Sequence, residues 1–149
     1  MTLVHTYASS ERLGRVFGNM AKEDAQTSVR TILETGLDWR AEDLKGFIFV
    51  LTEVLRDPEL GRHFSGQYMG ALLQSLEKYT GERVASGEFR QVDEKVAARA
   101  IGGMILGILL LRQMEGEEGP ARQMPLGELT AEMADIILEG IQKKGAQDA

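Results

Sequence analysis

Residues 94–114, Glu94-Lys-Val-Ala-Ala-Arg-Ala-Ile-Gly-Gly-Met-Ile-Leu-Gly-Ile-Leu-Leu-Leu-Arg-Gln-Met114, decide the fold class. The stretch has helical spacing, with Asp93 positioned as its N-cap. A surface helix carries one apolar stripe; this one carries two. Val96, Ala97, Ala100, Ile101, Met104, Ile108 and Leu111 form one face, and Ala98, Gly102, Ile105, Leu106, Leu109 and Leu110 cover much of the rest. A helix apolar nearly all round is buried nearly all round. Two burial schemes satisfy it: a central helix in a monomeric bundle, or a helix with one face on its own core and the other on a second copy. Ala98, Gly102, Gly103 and Gly107 would let another helix backbone approach closely, although each glycine costs about 1 kcal/mol of helix propensity relative to alanine. Met133, Ile136, Ile137, Leu138 and Ile141 repeat the theme in the last helix. The self-association reading gives a two-fold homodimer whose interface residues are Ala98, Gly102, Leu106, Leu109, Met133, Ile137 and Ile141.

Working outward, helical spacing continues almost everywhere. Leu13, Val16, Phe17 and Met20 step by three and four, and Val29, Ile32 and Leu33 resume the pattern. This predicts a first helix over 9–35, capped by Ser9, with Glu11 in its first turn and Gly36 as its stop. A second helix is expected over about 41–55, with Leu44, Phe47, Ile48, Leu51, Val54 and Leu55 as its buried stripe. Asp57-Pro58 places a cap before a proline at the first helical position, opening a long helix to about Ser86 with a bend in the Gly61–Gly70 region. Residues 116–125 read as loop, and 126–143 as the last helix. The expected architecture is an all-α helical bundle of about five or six helices. Residues 1–8 read as a junction, 9–145 as the domain and 146–149 as a disordered tail.

Composition excludes several functions. The chain has 149 residues, three prolines and no cysteine, so disulfides, thiolate metal sites and cysteine nucleophiles are out. Its formal net charge of −6 gives no overall attraction to nucleic acid. The longest apolar run, Ala100 to Leu111, is twelve residues, against roughly 20 for a membrane span. No secretory signal pattern opens the sequence, and a cytoplasmic location is expected.

No catalytic constellation emerges. The two histidines, His5 and His63, stand far apart, and His63 reads as a half-exposed helical side chain with a ligand-contacting role as the alternative. Glu128, Glu132, Asp135 and Glu139 step along one helix face opposite an apolar stripe, which is the pattern of a solvated surface. Gly102-Gly103 follows no strand and is not a phosphate loop. No metal or cofactor is implied.

Several motifs carry a family resemblance. Asp57-Pro58-Glu59-Leu60, then Gly87-Glu88-Phe89-Arg90 with Val92-Asp93, then the Ala97-Ala98 to Gly103 helix, and finally Ile136 to Ile141, resemble the effector domain of TetR-family transcriptional regulators. Val4 to Phe17 resembles the family's junction between recognition helix and linking helix, with Tyr7 at the aromatic position and Ser10 in place of the usual lysine. The resemblance implies a TetR C-terminal-domain-like fold that binds a small apolar or amphipathic effector and dimerises. It also implies a helix-turn-helix module, for which Met1 to Thr6 are too few residues, so specific DNA binding by this chain alone is not expected. Met20, Phe47, His63, Tyr68, Met69, Leu72 and Met104 are the candidate ligand-binding residues, with Phe49, Phe64 and Leu76 beside them, Gln67 as a further polar group and Trp39 covering one end. At helical spacing the same side chains also read as plain core. A stand-alone interaction protein that pairs with a full-length regulator is the competing function.

Overall fold

The computed structural model describes residues 15–17, 20–64, 66 and 69–141. Expectations for the junction, the Ser9 cap, His5, Gln67, Tyr68 and the tail lie outside these residues. Seven α-helices are present among the described residues: α1 (Ala25–Leu37), α2 (Ala41–Arg56), α3 (Pro58–Phe64), α4 (Gly70–Ala85), α5 (Glu94–Glu115), α6 (Pro120–Gln123) and α7 (Leu126–Ile141). A 3-10 turn, Met20–Lys22, precedes α1. The all-α class stands, and the count exceeds the expected five or six. The expected long third helix comprises α3 and α4, with Gly66 and Met69 between them in π-helical conformation, and the loop before α7 winds into the short α6.

Two antiparallel helix pairs make the body. In one, α4 lies along α5: Glu77 accepts a hydrogen bond from Arg99 at 3.0 Å, and Leu73 lies opposite Gly102. In the other, α1 lies along α7, where Gln26 donates to Asp135 at 3.1 Å and Thr130 donates to Glu34 at 3.3 Å. The pairs meet where α1 touches α5. Gly36 permits that approach, since a Cβ there would lie 2.9 Å from two carbons of Ile105. The core comprises Val29, Ile32, Leu33 and Leu37 of α1, Leu76 and Tyr79 of α4, Ala97, Ala98, Ile101 and Leu109 of α5, and Leu129, Met133, Ala134, Leu138 and Ile141 of α7.

Helix α2 is less deeply packed. Leu44 and Phe47 are its buried residues, while Ile48, Leu51 and Val54 are half-buried. Leu55, expected in the buried stripe, is 77% exposed, and Phe49 is 68% exposed. The stripe narrows because the main neighbour of α2 is the seven-residue α3, which is too short to cover a second face.

The predicted caps form as read. Asp93 accepts from the amides of Lys95 and Val96, and Asp57 accepts from those of Glu59 and Leu60. Each carboxylate satisfies amides that a helix start leaves unpaired. The expected first helix over 9–35 is interrupted. Residues 15–17 are helical, but Asp24 is extended and caps α1 anew by accepting from Thr27 N at 2.7 Å.

Candidate functional site

A polar cluster lies where the chain enters α1. Gly87, with φ +83°, turns the chain after α4, a conformation glycine adopts without a Cβ penalty. Phe89 then falls into the core against the Tyr79 ring, 6.1 Å between centroids. Glu88 is brought back onto Arg83, whose Nη1 donates to Oε2 at 2.5 Å. The other Glu88 oxygen accepts from the first amide of α1, Ala25 N, at 3.1 Å. Arg83 Nη2 donates to the carbonyls of Met20 at 2.9 Å and Glu23 at 2.5 Å. Arg90 closes the other side: its amide donates to the Ile141 carbonyl at 2.8 Å and its Nε to the Gly140 carbonyl at 3.0 Å. Each residue of the Gly87-Glu88-Phe89-Arg90 motif therefore has a separate structural task, tying the start of α1 and the end of α7 to the turn after α4.

Electrostatics match this geometry. Burial opposes the Arg83 charge, but the Glu88 carboxylate and Tyr79 outweigh it and raise the guanidinium pKa further. The guanidinium also lies 5.2 Å from the Tyr79 ring centre, within cation–π range. Burial raises the Tyr79 pKa, offset in part by its hydrogen bond with Ser28. The Thr27 amide and hydroxyl hold the Asp24 pKa below its ordinary value. Sequence reading caught this motif only as a resemblance, and missed Arg83 because one arginine on a helix carries no periodic signal.

Six of the seven expected ligand-binding residues lie among the described residues, and they stand on different parts of the bundle. Met20 is buried, with its carbonyl held by Arg83 near the C-terminal end of α4. Met69 and Leu72 stand at the N-terminal end of α4, with Leu72 about 16 Å along the axis from Arg83 at 1.5 Å per residue. Phe47 is buried against Trp39, 5.0 Å between ring centres, and the Trp39 indole donates to the Gly36 carbonyl at 2.8 Å. Met69 and Met104 are both half-buried against the core, and Leu72 is half-buried. His63 is exposed on α3. Tyr68 lies outside the described residues. Phe49 points away from any wall, since it is largely exposed.

The expected interface residues also divide. Ala98, Leu109, Met133 and Ile141 are buried in the subunit's own core, whereas Gly102, Leu106 and Ile137 are half-buried. The outward side of α5 is a different line: Val96, Ala100, Gly103, Gly107, Leu110 and Met114. Val96, Ala100, Gly103 and Met114 are exposed, and Gly107 and Leu110 are half-buried. The steps of four and three along this line are those of a coiled-coil seam. This line coincides with neither apolar face read from the spacing: Val96 and Ala100 come from the first, Leu110 from the second, and Gly103, Gly107 and Met114 from neither.

Among the described residues no group of three acidic, histidine or cysteine side chains could hold a metal ion, and no helix is long and apolar enough to cross a membrane. Glu128, Glu132, Asp135 and Glu139 are all exposed, as a solvated face requires. The helical bundle, its motif-bound turn and its small-residue α5 are consistent with the fold of a TetR C-terminal domain. Residues 40–139, from the start of α2 almost to the end of α7, match the family described as AefR-like transcriptional repressor, C-terminal domain. The chain belongs to that family, whose TetR-type members are non-catalytic transcription regulators. A comparison with curated proteins found no match.

Proposed function

We propose that this chain acts as the effector-binding and dimerisation domain of a TetR-like transcriptional regulator, taking a small apolar or amphipathic ligand. The observation that carries the reading is the outward seam of α5. Six non-polar residues at coiled-coil spacing lie outside the subunit core, on a helix whose opposite face is already buried. Such a face gains stability by packing against its own copy under two-fold symmetry. Ile136, exposed on α7, extends the apolar surface to the other proposed interface helix. Sedimentation at micromolar concentration is expected to report twice 16.4 kDa; a clean monomer would remove the dimerisation half of the proposal.

The effector half rests on the half-buried Met69, Leu72 and Met104 together with Phe47 and Trp39. Methionine side chains adapt to varied apolar shapes, and small-molecule sites are mainly apolar with few polar groups. Titration with a fluorescent hydrophobic probe is expected to saturate, and Met104→Ala to change its affinity more than fourfold. Linear, non-saturating binding unaffected by Met104→Ala would rule the effector site out. With its net charge of −6, the chain by itself is expected to give no sequence-selective shift of DNA in a gel.

A further inference from the structure

We propose that Met20–Ala25 is a clasped hinge, a helix break that side chains hold open and that closes into continuous helix when they let go. Gly18 lies two residues upstream, but nothing between Met20 and Thr27 forbids a continuous helix. Met20-Ala-Lys-Glu-Asp-Ala-Gln-Thr27 contains neither glycine nor proline, the residues that ordinarily break one. What stands in the way is the use made of the backbone groups. A continuous helix would pair the amide of Thr27 with the carbonyl of Glu23, and that of Asp24 with the carbonyl of Met20. Instead the Thr27 amide donates to the Asp24 carboxylate. Arg83 donates to both carbonyls, Glu23 and Met20. The Ala25 amide, which would reach back to Ala21, donates to Glu88.

Charge reinforces the arrangement. A cation sits on carbonyls at the end of one helical turn, and two carboxylates sit at the start of the next helix, each on the side the helix dipole favours. Arg83 and Glu88 come from α4 and the turn after it, so the bend responds to the bundle and not to its own sequence. Small displacements of the α4 end would withdraw the clasp and let the chain before α1 realign with it. The effector-domain reading supplies only what the hinge would move, and the backbone measurement below stands without it.

The test is nuclear magnetic resonance of the whole chain carrying Asp24→Ala with Arg83→Met. Methionine keeps an apolar stem beside Tyr79, and Glu88, 35% exposed, can turn to solvent. The Cα shifts of Glu23 and Asp24 are expected to move to helical values while the Ala25 and Thr27 amides stay protected from exchange. Asp24→Ala alone changes only an exposed cap and is expected to shift the same signals part of the way, so the question is decided even if the double variant fails to fold. Extended values retained in the folded variants would overturn the hinge. So would loss of protection at Ala25 and Thr27, because the clasp would then be only a cap on a fraying end.

Discussion

Arg83 and Glu88 meet at 2.5 Å across the Gly87 turn, and Glu88 carries the contact on to the first amide of α1. The guanidinium is nearly buried, whereas the carboxylate is 35% exposed, so solvent screens part of the attraction. Arg83 also donates to two backbone carbonyls: that of Glu23, and that of Met20, which accepts from the Glu23 amide as well. Arg83→Ala is therefore expected to cost about 1–3 kcal/mol in urea unfolding. Glu88→Gln, which keeps a carbonyl oxygen to accept from Ala25, is expected to cost less than about 1 kcal/mol. Equal costs for the two would show that the ion pair outweighs the carbonyl contacts.

The buried phenol of Tyr79 makes stability depend on alkaline pH. Its pKa is raised chiefly by burial. The folded state thus holds this proton more tightly than the unfolded chain, which releases it near pH 10. The contribution is fully present below about pH 10 and is lost as pH rises through the higher folded value. Thermal melts between pH 8 and 11.5 are expected to show a decline that is smaller in Tyr79→Phe. Parallel curves for the two proteins would deny the phenol any role in that decline.

These effects mark the limit of what the sequence made legible. Caps at Asp57 and Asp93 were readable because a side-chain oxygen and the amides it serves lie within three residues. The identity of α5 was readable because its apolar pattern is continuous. The interruption before α1 was not, because Arg83 and Glu88 act from some sixty residues away. Nor was the outward line of α5, because it draws on both apolar faces and burial depends on which neighbours arrive. Spacing places Leu55 in the buried stripe of α2, and Phe49 is read as part of a pocket wall, but the helix beside them is too short to cover them.

Close approach of α1 and α5 gives a third outcome. A methyl group at Gly36 would sit 2.9 Å from the Cδ1 and Cγ2 of Ile105, and a β-branched side chain in a helix has little rotamer freedom to withdraw. Alanine gains about 1 kcal/mol in helix propensity, but overpacking costs about 1–3 kcal/mol. Gly36→Ala is therefore expected to destabilise by up to about 2 kcal/mol. Combining it with Ile105→Val is expected to recover part of the loss, because one of the crowding carbons is removed. Additive losses in the double variant would show that the contact is not the cause.

The seam of α5 separates assembly from folding. Gly103 is exposed on the outward line, whereas Leu109 is buried on the inward one. Gly103→Glu adds a charge that an isolated subunit leaves in water, and exchanging glycine for glutamate improves helix propensity by up to about 1 kcal/mol. In a dimer packed through this seam, the two glutamates would face each other across the two-fold axis, desolvated and of like charge. Gly103→Glu is expected to yield a folded monomer of about half the wild-type mass in sedimentation, with its helical circular dichroism retained. Leu109→Glu places the same charge in the subunit core and is expected to abolish cooperative unfolding. A Gly103→Glu protein that remained fully dimeric at low micromolar concentration would move the interface off this face of α5.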